Sequence, residues 1–553
     1  MALFFIERER KALANEKKQS FVTGAAVLTA STIIIKVLGA LFKLPLANIL
    51  GNESMADFAA AYNIYALLLT ISTAGLPVAL SRMISASDAI GKSNQVKRTF
   101  RVARGAFFVM GGLTTLIMLF FSRQLAAFEG APTANLSVKV LAPALVCVCL
   151  TSAYRGYTQG LGNMVPTSIS QIIETLSKIV FGLTAAWFIM RRSGDGSVGA
   201  AGGIFGVSFG TLLALLYIIP AKLKMDRKLT APLGDPDVPE SVGSTLRTLI
   251  AIGIPITIGS CVLNVVAVID MKMIMERLQN ALLYDYSTAK GLYGTYFNTQ
   301  TLYNLPSAFA VPMVTSAIPA IAAYVARKEH KDATQVLCAA LKLMNLLAMP
   351  MAVGMGVLSA PIMGALYGET DAVAGMILSI LSAASYGVCI MMVTNAILQA
   401  YGHEWRSMLH VAIAAVCKVV VNYILLGVPA LGILGAAIGN VACYGVVCIL
   451  NLLAIRKKAP ECPKLLNLFG RPLLASLIMG VCAWVVYKAA DVVLVRAGLF
   501  QGGRMADIVP MVPAIVIAVA VYLLMVVLLK AVTKDELELV PKGEKIAKLL
   551  RVK

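Results

Sequence analysis

The sequence predicts an all-α polytopic membrane protein of about 14 transmembrane helices, with two pseudo-symmetric six-helix lobes followed by two C-terminal helices. Composition, the placement of basic residues and an internal repeat carry that expectation. Of 553 residues, 59% are hydrophobic and 14% charged, with a mean hydropathy of +0.81. Soluble domains are about half apolar and about a quarter charged, so lipid must cover much of this surface.

A spanning helix needs about 20 mostly apolar residues. Such runs fall at 22–48, 57–87, 99–122, 137–158, 164–190, 198–221, 247–274, 291–325, 333–358, 372–401, 407–428, 431–455, 468–490 and 507–531. The first follows a charged leader and exceeds a signal-peptide core, so it reads as a retained membrane helix. Pro77, Pro143, Pro166, Pro255, Pro306, Pro312, Pro319 and Pro350 recur inside these runs. A membrane bundle tolerates such breaks where neighbours or cavity water satisfy the freed backbone groups, and repeated breaks suit a transporter that moves.

The net charge of +20 sits in short connections. Basic clusters occur around Arg8–Lys18, Lys92–Arg104, Lys222–Lys228, Arg327–Lys331, Arg456–Lys458 and the tail from Lys530, while alternate connections such as 51–57 and 368–371 are acidic or neutral. This positive-inside alternation predicts a multi-pass plasma (inner) membrane protein with both termini cytoplasmic, and it argues against a nucleic-acid partner. Arg191 and Arg192, on an expected outer loop, break the pattern. The ten cysteines, Cys462 excepted, lie in apolar runs without ligand spacing and read as small buried residues.

Three motifs recur at offsets of 229 to 240: Tyr62-x-x-Tyr65 with Leu76-Pro77 as Tyr293-x-x-Tyr296 with Leu305-Pro306, Gln159-Gly160-x-Gly162 as Gln399-Ala400-x-Gly402, and Gly199, Gly202 and Gly206 as Gly432, Gly435 and Gly439. The resulting division is 1–221 for the N-terminus and N-lobe, 222–246 for a cytoplasmic linker, 247–455 for the C-lobe, 456–531 for two added spans and 532–553 for a basic cytoplasmic tail. Two copies of an even-spanned unit enter from one side, which predicts a central cavity at their interface. The glycine rows read as close helix packing.

Ionisable groups inside a span cost about 2.5–3.5 kcal/mol each and mark candidate sites. Lys36 and Lys43 share one side of the first span, seven residues apart, and Asp57 opens the second, whose inner end carries Arg82. Glu174 and Lys178 sit mid-span in the fifth, spaced to neutralise each other if they pair. Asp270 and Lys272 lie toward the end of the seventh, Lys342 in the ninth and Lys418 in the eleventh. Arg82 and Lys272 are also placed to snorkel to an interface. Fixed cations suit a phosphate-bearing substrate, because Lys binds phosphate as a point charge. Walker A, GxSxG and HExxH patterns are missing, and His330, His403 and His410 are isolated. The chain therefore reads as no enzyme, with no cofactor and no metal, driven by the membrane potential or a Na+ or H+ gradient.

Gly24-Ala-Ala-Val-Leu-Thr and Ile35-Lys36-Val-Leu-Gly39-Ala-Leu-Phe-Lys43-Leu-Pro, Gly75-Leu-Pro-Val-Ala-Leu-Ser-Arg82, Arg155-Gly-Tyr-Thr-Gln159-Gly-Leu-Gly-Asn163, and Leu302-Tyr-Asn-Leu-Pro306 with Ser316-Ala-Ile-Pro319 together resemble the stage V sporulation protein B type of polysaccharide exporter. That group belongs to the multidrug/oligosaccharidyl-lipid/polysaccharide flippase superfamily and is related to the MurJ lipid II flippases. The resemblance covers nearly the whole chain. It implies two lobes, alternating access and export of an undecaprenyl-pyrophosphate-linked peptidoglycan precursor, lipid II, in a Gram-positive-type bacterium, with membrane lipids and the cell-wall synthesis machinery as partners. It also implies a substrate role for Lys36, which falls where MurJ has an arginine, and for Asp57 on the helix 2 acid. Lys43 is one residue out of register, and Thr70 stands where MurJ has another arginine. Lys418 and Asn422 occupy the stretch where some MurJ proteins bind sodium, so a tethered ammonium could replace that ion. Flippases for teichoic-acid, capsule or spore-wall units, an antiporter for drugs and cations, and a non-transporting scaffold are the competing readings.

Overall fold

In the computed structural model, residues 2–226, 237–368, 371–458, 465–496 and 504–529 are described. The expected basic tail, positions 227–236 of the linker and Cys462 lie outside them. The described residues form helices and connecting turns, with no strand among them. The chain divides into two compact units, Met1–Met275 and Glu276–Lys553.

The first unit contains α1 (Ala2–Thr73), α2 (Leu76–Ala89), α3 (Ser93–Phe120), the short α4 (Ser122–Phe128), α5 (Asn135–Gly160), α6 (Val165–Ser177), α7 (Leu183–Ser193), α8 (Gly196–Asp226) and most of α9 (Val242–Asn280). Its core joins Leu80 and Ile84 of α2, Phe100 and Phe107 of α3, Cys149 and Tyr157 of α5, and Ile218 of α8. The second unit contains α10 (Tyr286–Tyr303), α11 (Ser307–Ala326), α12 (His330–Val357), α13 (Ser359–Tyr367), α14 (Ala372–Ala400), α15 (Glu404–Leu425), α16 (Leu434–Lys458), α17 (Leu465–Arg496) and α18 (Arg504–Leu528). Leu341 and Met344 of α12 pack there with Ile390 and Val393 of α14 and Ile455 of α16.

Twelve stretches of the described residues are long and apolar enough to cross a membrane. The stretch Ala30–Ala89 holds the first two expected spans: Gly51, at φ 73° and ψ 170°, is not helical, and the kink it makes, in a conformation that costs glycine least, divides one from the other. The expected eighth span is split at Asn304–Pro306 into α10 and α11. Taken on either side of Gly51, the twelve stretches carry every expected span but the eighth among the described residues. Large apolar side chains stand exposed along these helices, among them Phe108 and Phe120 on α3, Trp187 on α7 and Val516 on α18. Such a surface is stable only against lipid.

Both Tyr-x-x-Tyr…Leu-Pro copies break in the same way. α1 ends at Thr73 and α2 begins at Leu76 with Pro77 in its first turn, while α10 ends at Tyr303 and α11 begins at Ser307. At the first break Gly75 donates its backbone N–H to Thr257 Oγ1 at 3.1 Å, and it lies so close to the Gly253 backbone that no Cβ would fit. Pro143 and Pro350 instead lie within continuous helices. Neither ends its helix.

Candidate functional site

In the N-terminal unit, positions 58, 62 and 65 fall on one face of α1, spaced as helical neighbours. Phe58 stacks on Tyr62 with ring centroids 5.9 Å apart and 11° between planes, and Tyr62 meets Tyr65 at 5.9 Å. Phe42, from the segment before Gly51, packs on Phe58 at 6.1 Å. Two ammonium groups converge on this aromatic column. Lys43 Nζ lies 5.8 Å from the Tyr62 centroid, while Lys178 Nζ lies 6.0 Å from Tyr62 and 5.7 Å from Phe42. The negative faces of the rings offset part of the cost of holding cations away from bulk water.

Lys178 begins a π-helical turn, Lys178–Gly182, between α6 and α7. Such widened turns concentrate at functional positions. Here the turn is held by a close helix approach: a Cβ on Gly206 of α8 would fall on the backbone of Gly182. The neighbouring Gly199, Gly202 and Gly210 meet α1, α7 and α6 just as tightly, so this glycine row is a packing seam.

Glu174 is not paired with Lys178. Its Oε2 accepts from Arg155 Nη2 at 2.9 Å, and Arg155 Nε donates to Ser170 Oγ at 2.9 Å. A planar guanidinium can serve two acceptors one helical turn apart, which an ammonium on the same helix as the carboxylate cannot do so well. Both side chains are mostly buried, 13% and 23% exposed. In the sequence Arg155 stands out only as part of a family motif. Its further signal there is a guanidinium inside an apolar run with no acid at helical spacing. Glu174 being held by Arg155, it is not the counter-ion of Lys178.

The other expected site residues fall in both units. Asp57 is fully buried and accepts from Thr133 Oγ1 at 2.6 Å and from Ser197 Oγ at 2.9 Å, tying α1 to the start of α8 and the turn before α5. Lys36 is half-buried two turns before Lys43, and Arg82 is exposed midway along α2. Asp270 is buried on α9, where its neighbour Lys272 stands 4.2 Å from the Phe128 ring. Lys342 is half-buried on α12. Lys418, in the second unit, is buried on α15 with the fully buried Asn422 one turn on, close against Gly439 of α16.

A further carboxyl is one that the sequence does not single out. Glu129, in the turn between the candidate spans that end at Phe120 and begin at Pro132, has no exposed surface. Asn63 Nδ2 donates to its Oε2 at 3.4 Å, and its Oε1 has no hydrogen-bond partner. Burial raises this carboxyl well above its ordinary range despite the Asn63 contact, and so favours its protonated form. Phe128-Glu129-Gly130 reads as a polar turn in the sequence, which is why it gives no warning.

Residues 21–325 match the family model described as polysaccharide biosynthesis protein, and residues 296–424 match the one described as MatE. The chain is 25% identical over 522 residues to the lipid II flippase MurJ of Bacillus subtilis (strain 168), covering 90% of this chain and 94% of that one. It is 23% identical over 527 residues to stage V sporulation protein B of the same organism, covering 95% and 98%. Among solved structures, the lipid II flippase MurJ in an inward closed conformation aligns with a TM-score of 0.66 at 17% identity, covering 90% of this chain and 98% of that one. At that identity the structural match establishes a shared fold.

Proposed function

The chain belongs to the polysaccharide biosynthesis protein family, and from that premise we propose that it is a flippase for an undecaprenyl-pyrophosphate-linked peptidoglycan precursor, lipid II, working by alternating access with both termini in the cytoplasm. The observation that carries this reading is the convergence of Lys43 and Lys178 on Tyr62, at 5.8 and 6.0 Å. Two cations held at one ring repel each other. A pyrophosphate bound there exchanges that repulsion for two attractive contacts, and each ammonium donates hydrogen bonds to it without demanding a fixed geometry. Nothing in this arrangement makes or breaks a covalent bond, so the chain acts as a transporter and not as an enzyme. Its work is drawn from the membrane potential or an ion gradient. Lys36 extends the cationic face of α1, and Lys418 takes the place of a bound cation in the second unit.

The purified full chain should bind lipid II, and Lys43→Ala/Lys178→Ala should weaken that binding by at least tenfold while keeping the wild-type melting temperature. In cells depleted of their own lipid II flippase, the double variant and Lys36→Ala should fail to restore growth. Full rescue by the double variant would remove these lysines from the mechanism. Equal binding of lipid II and of a teichoic-acid-type undecaprenyl-pyrophosphate glycan, without rescue, would move the assignment to another polysaccharide. Binding of organic cations alone would favour the antiporter reading that the MatE match to residues 296–424 suggests.

A further inference from the structure

A second basic site lies away from the Tyr62 column, at the Ser93 end of α3. Here α3, α5 and α8 enclose a groove of about 390 Å³. Its apolar wall is formed by Phe108, Leu150, Leu215 and Ile219, and its polar edge by the guanidinium groups of Arg101 and Arg104. The two arginines are one turn apart on the same helix face, both exposed. Among the described residues neither has a carboxylate partner, and the one ring contact is that of Arg104 with Phe100, at 5.9 Å. The nearby acid on α8 is already engaged: Asp226 accepts from Lys222 and, at 2.6 Å, from Tyr157 Oη. Lys222, 4.7 Å from the same Phe100 ring, is balanced by that carboxylate, so the net charge of the site is that of the two arginines. The site therefore joins unbalanced positive charge to an apolar wall, on a helix apolar enough to cross the bilayer.

We propose that this groove binds one anionic phospholipid of the surrounding bilayer, its phosphate held by Arg101 and Arg104 and an acyl chain lying along Phe108, Leu150, Leu215 and Ile219. The charge favours an acidic headgroup over a zwitterionic one, and the wall excludes a ligand that is only an anion. Four residues separate Arg104 from Phe108, a rise of about 6 Å, so headgroup and first methylenes meet their partners in the order that a lipid presents them. Gly105 keeps the groove open: a Cβ there would meet no atom within 4 Å. The reading is independent of the transported cargo.

The test is native mass spectrometry of the full chain, titrated in detergent with phosphatidylglycerol or phosphatidylcholine. Wild type should retain one phosphatidylglycerol preferentially. Arg101→Gln/Arg104→Gln should weaken that retention roughly 30-fold, given the attraction of each basic side chain to an anionic lipid surface. Lys92→Gln/Lys97→Gln removes the same charge from exposed positions of the same region and should change retention less than threefold. Gly105→Leu, whose Cβ meets no protein atom within 4 Å, should abolish retention with both arginines present. The proposal is overturned if the two double variants behave alike, if Gly105→Leu retains the lipid, or if millimolar inorganic phosphate displaces it as well as a second phospholipid does.

Discussion

In the N-terminal unit α5 and α6 are joined by an ionic link, Arg155 to Glu174; at the corresponding place in the C-terminal unit, α14 and α15 are joined by neutral groups. Asn395 and His410 follow Arg155 and Ser170 by 240 residues, the offset that carries Gln159 to Gln399 and Lys178 to Lys418. Ser407 Oγ and Asn451 Nδ2 both donate to Asn395 Oδ1, each at 2.7 Å, and Asn451 also reaches Thr394 Oγ1 at 3.0 Å. His410 Nδ1 lies 2.7 Å from Asn451 Oδ1. Because the Asn451 amide nitrogen is already used, its oxygen faces the imidazole and Nδ1 carries the hydrogen. Glu174 has buried Ala414 as its counterpart. The aromatic pairs, by contrast, hardly differ: Tyr62–Tyr65 and Tyr293–Tyr296 stand at 5.9 and 6.1 Å, tilted by 48° and 52°. The units thus share a packing frame and differ in the charge placed on it.

The largest effect should come from breaking the ionic link. Glu174→Leu leaves the Arg155 guanidinium with one neutral partner in a mostly buried place, at a cost of about 2–3 kcal/mol, reduced from the fully buried case by its residual exposure. Asn395→Leu removes neutral hydrogen bonds and should cost about 1–2 kcal/mol. Apparent melting temperatures in detergent, with Arg155→Leu/Glu174→Leu to show partial recovery, measure the difference. A C-terminal loss as large as the N-terminal one would end the distinction.

A smaller contrast concerns the glycine seams. Gly206→Ala drives a methyl into the Gly182 backbone, whereas at Gly439 the obstacle is the Asn422 side chain and not backbone. Overpacking against backbone costs about 2 kcal/mol, partly offset by the helix preference of alanine. Gly439→Ala should lose under about 1 kcal/mol. The same melting series tests it, and the contrast fails if the two variants change places.

Features with a periodic or compositional origin are legible in the sequence. Both glycine rows, both Leu-Pro breaks and the long apolar runs follow from residue spacing, because a helix places each side chain by its number. Partners chosen across space are not legible. The pairing of Glu174 with Arg155 depends on α5 lying beside α6, and local spacing points instead to Lys178 four residues on. The π turn at Lys178 arises where Gly182 and Gly206 let two backbones approach, and no propensity scale marks it. The kink at Gly51 rests on one backbone angle, and hydropathy places it only to within the polar turn at 49–56.

The smallest effect separates charge from burial within one unit. Glu174 and Glu129 are both withdrawn from solvent, but Glu174 meets a guanidinium and Glu129 only the Asn63 amide. Burial raises the Glu129 carboxyl above its ordinary value of 4.5, so below that value folded and unfolded chains are both protonated there and the group is silent. As pH rises past it, the unfolded chain releases the proton while the folded one keeps it. Stability must then fall with rising pH until the folded carboxyl also ionises. Glu129→Gln keeps the shape and an acceptor for Asn63 without a proton to lose. It should melt higher than wild type at pH 7.5, match it near pH 4, and show a flatter profile between. A variant that tracks the wild-type slope across that range would mean that the buried carboxyl ionises in place, its charge met by water or by a neighbour, and that burial alone does not keep it neutral.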